Sequence, residues 1–313
     1  MMTKSRILYT SLMFLLLLLS STSGFAQQDP NFTQYMYNTL SINPAYAGSR
    51  NVFSAVALYR SRWMGFDGAP TSQTLSAHSP IRDGKMGLGF NIVNDKIGIT
   101  TQTDINAVYS YSLDVSRFTK LSFGLNAGVN LLSVDYNELN IFDPNDPEFN
   151  NNIDNKISPQ IGLGALLYND RYFVGLSVPA LLRTDRFSEN SVADATVRDR
   201  LHYYLTAGLV FDINPALKFK PSLLVRHVSG APLLAELSSN FLINDKFTLG
   251  AAYRLNSAFS GLFAFQVSDA ILMGIAYDRN ISTLSSYNDG SLEFFARFEL
   301  FKKYKKMYTP RFF

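Results

Sequence analysis

The fold of this chain is decided by KLSFGLNAGVNLL, the stretch from Lys120 to Leu132. Every second residue from Leu121 to Leu131 is apolar, and the residues between them are serine, glycine or asparagine. Because successive side chains of a β-strand point to opposite faces, the stretch predicts a strand with one apolar face and one small, polar face. It is longer than the about 5–6 residues of an ordinary strand and reaches the about 9–11 residues of a tilted strand that crosses a membrane.

The same alternation returns between turn signals along most of the chain. Residues 200–212, 246–256 and 290–301 repeat it well, with Val210 as an exception in the first of them. The candidate strands are 50–61, 70–79, 85–94, 101–115, 119–132, 157–168, 171–179, 200–212, 217–227, 233–243, 246–256, 260–267, 270–278 and 290–301. The sequence therefore predicts an all-β fold, a closed antiparallel up-and-down transmembrane β-barrel of about 14 strands within residues 50–301.

The composition agrees with a membrane barrel and excludes several other classes. Of the 313 residues, 47% are hydrophobic and 14% aromatic, while 17% are charged, below the about 25% of soluble domains. Composition alone fits a large soluble all-β protein equally well. A net charge of +3 gives no reason to expect nucleic acid as a partner. The absence of cysteine excludes disulfides, thiol nucleophiles and thiolate metal sites.

The N-terminus has the features of a secretory signal peptide. Lys4 and Arg6 precede an apolar run from Ile7 to Leu19, and small residues at Gly24 and Ala26 provide a cleavage site. Residues 1–26 are therefore predicted to be removed during export, and the barrel is predicted to lie in the outer membrane. The alternative is an uncleaved membrane anchor.

The connections between the predicted strands separate into short and long ones by parity. Those after even-numbered strands are short, at 116–118, 169–170, 213–216, 244–245 and 268–269. Three of those after odd-numbered strands are long, at 133–156, 180–199 and 279–289. Short periplasmic turns and long outer loops are typical of bacterial outer-membrane barrels, whereas a soluble sandwich has no reason to sort its loops. The pattern favours the membrane barrel.

Six charged residues fall on the face opposite the apolar residues and are predicted to point into the lumen. A charge that faced lipid near the membrane midplane would cost about 2–4 kcal/mol. Phe295 and Leu224 share this inward parity, which predicts a lumen partly filled by side chains. The predicted lumen charges are Arg226, Glu236, Arg254, Glu293, Arg297 and Glu299.

The residues after the leader carry a pattern that resembles a known family. They read Asp29-Pro30-x-Phe32-x-Gln34-Tyr35-Met36-Tyr37-Asn38, followed by Asn43-Pro44-Ala45-Tyr46-Ala47-Gly48. This resembles the N-terminal signature of the PorP/SprF family, outer-membrane proteins of the type IX secretion and gliding machinery of Bacteroidetes. Residues 27–49 are expected to form a short helical turn and a loop, periplasmic or placed as a plug against or inside the barrel; an ordinary lead-in to the first strand is the alternative. The candidate partner-binding residues here are Phe32, Gln34, Tyr35, Tyr37, Asn38, Asn43, Pro44 and Tyr46.

The C-terminus extends the resemblance. The final residues Pro310-Arg311-Phe312-Phe313 match the common ending of the family, and Arg311, Phe312 and Phe313 are further candidate partner-binding residues. Residues 302–313 are basic and aromatic, and strand parity puts them in the periplasm. They are predicted either to dock on periplasmic machinery, or to lie beside lipid headgroups or fold back as a plug.

The sequence carries no pattern of catalytic or metal-binding residues. His78, His202 and His227 lie on separate strands or strand ends without metal-ligand spacing. Phosphate loops and a nucleophilic serine elbow are missing. We therefore expect no cofactor, no metal and no enzymatic activity, and leave open whether the oxygen-rich loop 133–156 binds an ion.

The resemblance implies a function in protein export. It predicts a component that supports the secretion or surface attachment of adhesins or gliding proteins. The implied partners are outer-membrane lipid, periplasmic and lipoprotein components of type IX secretion, and the C-terminal domain of a cargo protein. The alternative is an outer-membrane channel or transporter for small or lipidic molecules, and an outer-membrane enzyme is a weaker third hypothesis.

Overall fold

The structure is a computed structural model that describes residues 32–81, 84–138, 152–182, 201–229, 231–281 and 288–300. The predicted leader (1–26), the tail (302–313) and the acidic part of the loop 133–156 lie outside these ranges. In the described ranges no helix is long and apolar enough to cross a membrane. The strands are β1 (Phe53–Ser61), β2 (Thr71–Ile81), β3 (Met86–Ile97), β4 (Thr100–Asp114), β5 (Lys120–Val134), β6 (Ile153–Tyr168), β7 (Tyr172–Val178), β8 (His202–Leu209), β9 (Phe211–Asn214), β10 (Leu217–Val228), β11 (Leu234–Ile243), β12 (Phe247–Arg254), β13 (Ala258–Ser268), β14 (Ile271–Asn280) and β15 (Ser291–Leu300).

The strands form one closed antiparallel sheet. Each strand pairs with its neighbours in sequence, except that β8 and β9 both pair with β10 and not with each other. The last strand, β15, pairs with β1 in a register that sets Phe53 opposite Leu300. Closure of the 14-membered ring removes the open edges at its seam, whose unpaired backbone groups lipid could not satisfy. Fourteen positions make up the ring and β9 is an extra short strand, so the predicted barrel of about 14 strands is confirmed.

The extra strand arises because the eighth predicted strand is interrupted at Val210. Both parts, β8 and β9, pair with β10, and the register is kept across the break, since Gly208 faces Ser222 and Phe211 faces Phe219. It shifts further on, between Leu217 and Lys218. Pro221 lies at the break and has no N–H to give to the ladder. The hydrogen bond that proline cannot donate accounts for the interruption, so the one predicted strand is found as two.

The two ends of the barrel differ in their connections. At the short-turn end, strands are joined by residues 82–85, 115–119, 169–171, 215–216, 244–246 and 269–270. At the long-loop end, the connections include residues 62–70, 135–152, 179–201 and 281–290. Strands β5 and β6 extend further into the predicted loop 133–156 than expected, to Val134 and from Ile153. Strand β1 begins at the short-turn end, and β15 finishes there.

The outer and inner faces of the barrel differ as the alternation predicted. Large apolar side chains cover the outside, and Leu88, Phe123 and Leu249 are about half exposed, at 49%, 50% and 49%. The inward residues are mostly buried and polar, including Ser110, Asn126 and Ser222. The polar inner face is buried because another part of the chain lies inside the lumen.

Candidate functional site: a lumen filled by the N-terminal segment

The lumen contains residues 32–50, which we call the lumen segment. Every residue of it is buried except Ser41 and Arg50, which are partly buried. It includes two short 3-10 helices, Thr39–Ser41 and Pro44–Tyr46. The second begins because the Asn43 side chain accepts a hydrogen bond from the N–H of Ala45, at 2.9 Å, and because proline suits a first helical position.

Five charged residues near the long-loop end form what we call the ion cluster: Arg60 of β1, Glu236 of β11, Arg254 of β12, Asp278 of β14 and Glu293 of β15. Arg60 lies 2.5 Å from Asp278 and 2.7 Å from Glu293. Arg254 lies 2.7 Å from Glu236. All five are less than a tenth exposed. Their pairing offsets the cost of removing charges from water.

The lumen segment enters this cluster through the hydroxyl group of Thr33. It donates a hydrogen bond to Asp278 at 2.6 Å. It accepts hydrogen bonds from Arg60 at 3.0 Å and from Arg254 at 3.1 Å. One hydroxyl group therefore joins both arginines and a carboxylate, which come from three strands that are not adjacent in sequence.

The carboxylate of Glu293 binds the backbone of the same segment. The N–H groups of Thr33 and Gln34 donate to its two oxygens at 3.1 and 2.8 Å. Glu293 is 0% exposed. Hydrogen bonds to a carboxylate are stronger than those between neutral groups, so these two contacts fix the position of the segment.

Apolar and amide contacts hold the middle of the lumen segment. Tyr37 stacks on Phe295 of β15, with ring centroids 4.2 Å apart. The Asn38 side chain donates to Thr74 at 3.0 Å and accepts from Ser76 at 2.6 Å, both on β2. Phe295 and Leu224, predicted to point inward, belong to the buried cluster around the segment.

Glycines of β5 and β6 leave space for the turn of the segment at Asn43 and Ala45. A Cβ atom on Gly124 would collide with the backbone of Ala45, and one on Gly164 would collide with the Asn43 side chain. The same asparagine donates to the carbonyl oxygen of Ala165 at 3.1 Å. A side chain at these glycines would occupy the place of the segment.

The segment ends at the short-turn end. The N–H of Gly48 donates to Nδ1 of His78 at 3.0 Å, and Ser110 donates to the carbonyl of Ala47 at 2.7 Å. Gly48 has a φ of 71°, a conformation that favours glycine. Arg50 then pairs with Glu299 near the end of β15. The lumen segment is thus fixed at both ends of the barrel.

A small cavity lies between the lumen segment and the wall. It has a volume of about 20 Å³, room for one or two water molecules. It is lined by Tyr35, Met36, Thr39, Tyr46, Ser49, Arg50, Leu166, Tyr168, Phe173 and Thr206. In the part of the chain that the structure describes, the segment occupies lumen space that a 14-stranded barrel would otherwise leave open, and its residues are almost all buried there.

The structure places the predicted site residues as follows. The eight candidates from Phe32 to Tyr46 are buried in the lumen, where their contacts are with the barrel wall. A partner could reach them only if the segment left the lumen. Arg311, Phe312 and Phe313 lie outside the described residues. The six predicted lumen charges are all buried, with an exposed fraction of 9% or less. They are Arg226, Glu236, Arg254, Glu293, Arg297 and Glu299.

Sequence reasoning missed three members of the site. Arg60 and Asp278 were not among the predicted lumen charges, and Thr33 was not among the candidate site residues. A signal was present, because the parity that places Glu293 inward also applies to Asp278 on the neighbouring strand. Without the pairing of β1 with β15, nothing in the sequence links Arg60 to either carboxylate.

Together, the closed sheet, the apolar outside and the filled lumen define a transmembrane β-barrel occluded by its own N-terminal segment. Within that class, the chain belongs to the PorP/SprF family, the type IX secretion system membrane proteins, whose family model matches residues 24–298. The resemblance seen in the sequence is therefore confirmed. Membership implies an outer-membrane location and interaction with other components of that secretion system.

The comparison with solved structures finds two proteins that match most of this chain at low sequence identity. The Acinetobacter baumannii outer membrane protein Omp33 shares 9% identity and a TM-score of 0.46, over 80% of this chain and 98% of that one. A Pseudomonas aeruginosa FadL homologue shares 13% identity and a TM-score of 0.45, over 87% of this chain and 95% of that one. No significant match is found among curated proteins.

Proposed function

We propose that this barrel is a non-enzymatic component of type IX secretion that supports the secretion or surface attachment of cargo adhesins or gliding proteins. The observation that carries the proposal, beside family membership, is the filled lumen. A barrel whose interior is bound to its own chain at both ends is suited to anchor partners at its two rims. It is poorly suited to conduct a cargo chain through its centre.

The two rims would serve different partners. Short turns are periplasmic in bacterial outer-membrane barrels, so the short-turn end would face the periplasm. Periplasmic and lipoprotein components of the secretion system would bind there, where the chain continues after Leu300 into residues 302–313. The C-terminal domain of a cargo protein would bind the long-loop end, through residues 133–156 and 180–199.

Deleting residues 139–151 is expected to remove a cargo adhesin from the cell surface while the barrel stays in the outer membrane. The ends of this loop are already joined, because Asn152 accepts from the N–H of Tyr136 and donates to Asp135, both at 2.9 Å. A Gly-Ser linker can therefore close the gap without disturbing β5 or β6. Surface adhesin would be measured by antibody binding to intact cells, and barrel insertion by heat-dependent migration in gels.

The matched control removes residues 282–287 at the same end, outside the two candidate loops. It is expected to leave adhesin display unchanged. Normal display after removal of 139–151, with the barrel inserted, would contradict the cargo role of that loop.

A further inference from the structure

The lumen segment and the wall around it differ in charge. Residues 32–49 carry no charged side chain, so the charges of the ion cluster all come from the wall. To this cluster the segment contributes the hydroxyl group of Thr33 and the backbone N–H groups of Thr33 and Gln34. The two sides of the contact are therefore a neutral peptide and a charged site.

Three polar side chains of the segment that bind the wall are spaced by five residues: Thr33, Asn38 and Asn43. The first bonds to three residues of the ion cluster. The second bonds to two hydroxyl groups of β2, and the third to a carbonyl group of β6. Between them, the carbonyl oxygen of Ile42 accepts from Ser177 of β7 at 2.6 Å. The wall thus recognises the pattern Thr-x4-Asn-x4-Asn-Pro, and a different residue at any of the three positions would leave a wall group without its partner.

The connection between the segment and β1 is short and lies at the surface. Asn51 is exposed and has a φ of 59°, and its N–H donates to the carbonyl oxygen of Gly48 at 3.1 Å. Strand β1 begins soon after, at Phe53. A tether of this kind holds a ligand near its site and raises its local concentration. The contacts that position the segment would therefore remain if the chain were cut at this connection.

We infer that the lumen is a peptide-binding site, which the chain's own segment occupies and which a peptide of another chain with the same pattern can enter in its place. The ligand class is an uncharged linear peptide with a threonine, asparagines five and ten residues later, and a proline after the second asparagine. A charged side chain at the threonine position would add an unpaired charge to a buried cluster, which is unfavourable. The inference goes beyond the proposed function, because it requires neither a cargo nor a periplasmic partner.

Cutting the connection in the folded protein tests the inference. A site for a specific protease would be inserted between Asn51 and Val52, ahead of β1, and the full chain would be refolded in detergent before cleavage. A second variant, in which Gly-Ser linkers flank the same site, covers the case in which the short insertion disturbs the start of β1. Heat-dependent migration in gels shows that the barrel is folded before and after the cut.

The cut segment is expected to stay with the barrel during gel filtration and to be replaced when a labelled synthetic peptide of residues 32–50 is added in excess. Two matched peptides test the pattern. Thr33→Val removes the hydroxyl that binds the ion cluster and should bind about tenfold more weakly, the effect of losing hydrogen bonds to charged groups. Thr39→Val makes the same change where the hydroxyl donates to carbonyl groups of the segment itself, so it should bind within about threefold of the unchanged peptide.

Three results would overturn the inference. The first is a cut segment that leaves the barrel at once while the labelled peptide fails to bind, since the connection would then be what holds the segment. The second is a segment that stays and is never replaced, since it would then be a fixed part of the fold. The third is equal binding of the Thr33→Val and Thr39→Val peptides, since the pattern would then not be recognised. None of these results bears on the cargo role, which is tested separately.

Discussion

Replacing Arg60 by methionine is expected to destabilise the barrel by about 3–5 kcal/mol, the cost of breaking a buried ion pair by removing one partner. Asp278 and Glu293 would lose the cation that lies 2.5 and 2.7 Å from them, in a site that water does not reach. Thr33 would lose one of its two donors. Urea unfolding of the protein in lipid vesicles, followed by tryptophan fluorescence or gel migration, measures the change.

Two further variants make this prediction specific. Arg117→Met alters an exposed arginine in a short turn and is expected to change stability by less than about 0.5 kcal/mol. Arg60→Met combined with Glu293→Gln removes one charge of each sign and is expected to recover part of the loss. If Arg60→Met unfolds at the same urea concentration as the unchanged protein, the ion cluster does not hold the barrel and the lumen segment together.

Replacing Gly124 by leucine is expected to expel the lumen segment and open a conducting pore. The new side chain would occupy the position of the Ala45 backbone, which cannot move without displacing the 3-10 helix Pro44–Tyr46. A Cβ atom alone would lie 2.1 Å from the backbone N of Ala45, so the cost exceeds the about 1–3 kcal/mol of ordinary overpacking, which small side-chain shifts absorb. Planar bilayer recordings would show stable conductance for the variant and little for the unchanged protein.

Gly261→Leu is the matched control for this change. Gly261 is exposed on the outer face, and a Cβ atom there would meet nothing within 4 Å. It is expected to remain non-conducting. Stable conductance of the unchanged protein would instead favour the alternative function, a channel for small or lipidic molecules, and would show that the segment does not block the lumen.

The strands could be predicted because lipid imposes a strict rule on one face of each of them. In β5, the outward residues from Leu121 to Leu131 are all apolar, and the period of two is easy to see. Strand β1 is less clear, since its inward residues include Val56 and Leu58, which are buried in the lumen. Where the lumen is filled, a strand can carry apolar side chains on its inner face as well as on its outer face. The difference between the two faces, from which the orientation of the strand is read, is then lost.

The turn at Asn43 and Pro44 was also predictable, because it depends on neighbouring residues. The path of the lumen segment was not. Thr33 and Glu293 are hydrogen-bonded across 260 residues of sequence, and no local pattern specifies such a contact. Arg60 and Asp278 were missed for the same reason, since their importance comes from a juxtaposition that only the closed sheet creates.

The long sequence separation between Thr33 and Glu293 also bears on how the protein is made. The binding site for the first residues of the segment is completed by the last two strands to leave the ribosome, β14 and β15. Inserting the segment into a finished barrel would require the buried carboxylate of Glu293 to form without the two N–H groups of the segment that bind it. Assembly is simpler if the lumen segment is in place first and the later hairpins close around it, until β15 pairs with β1.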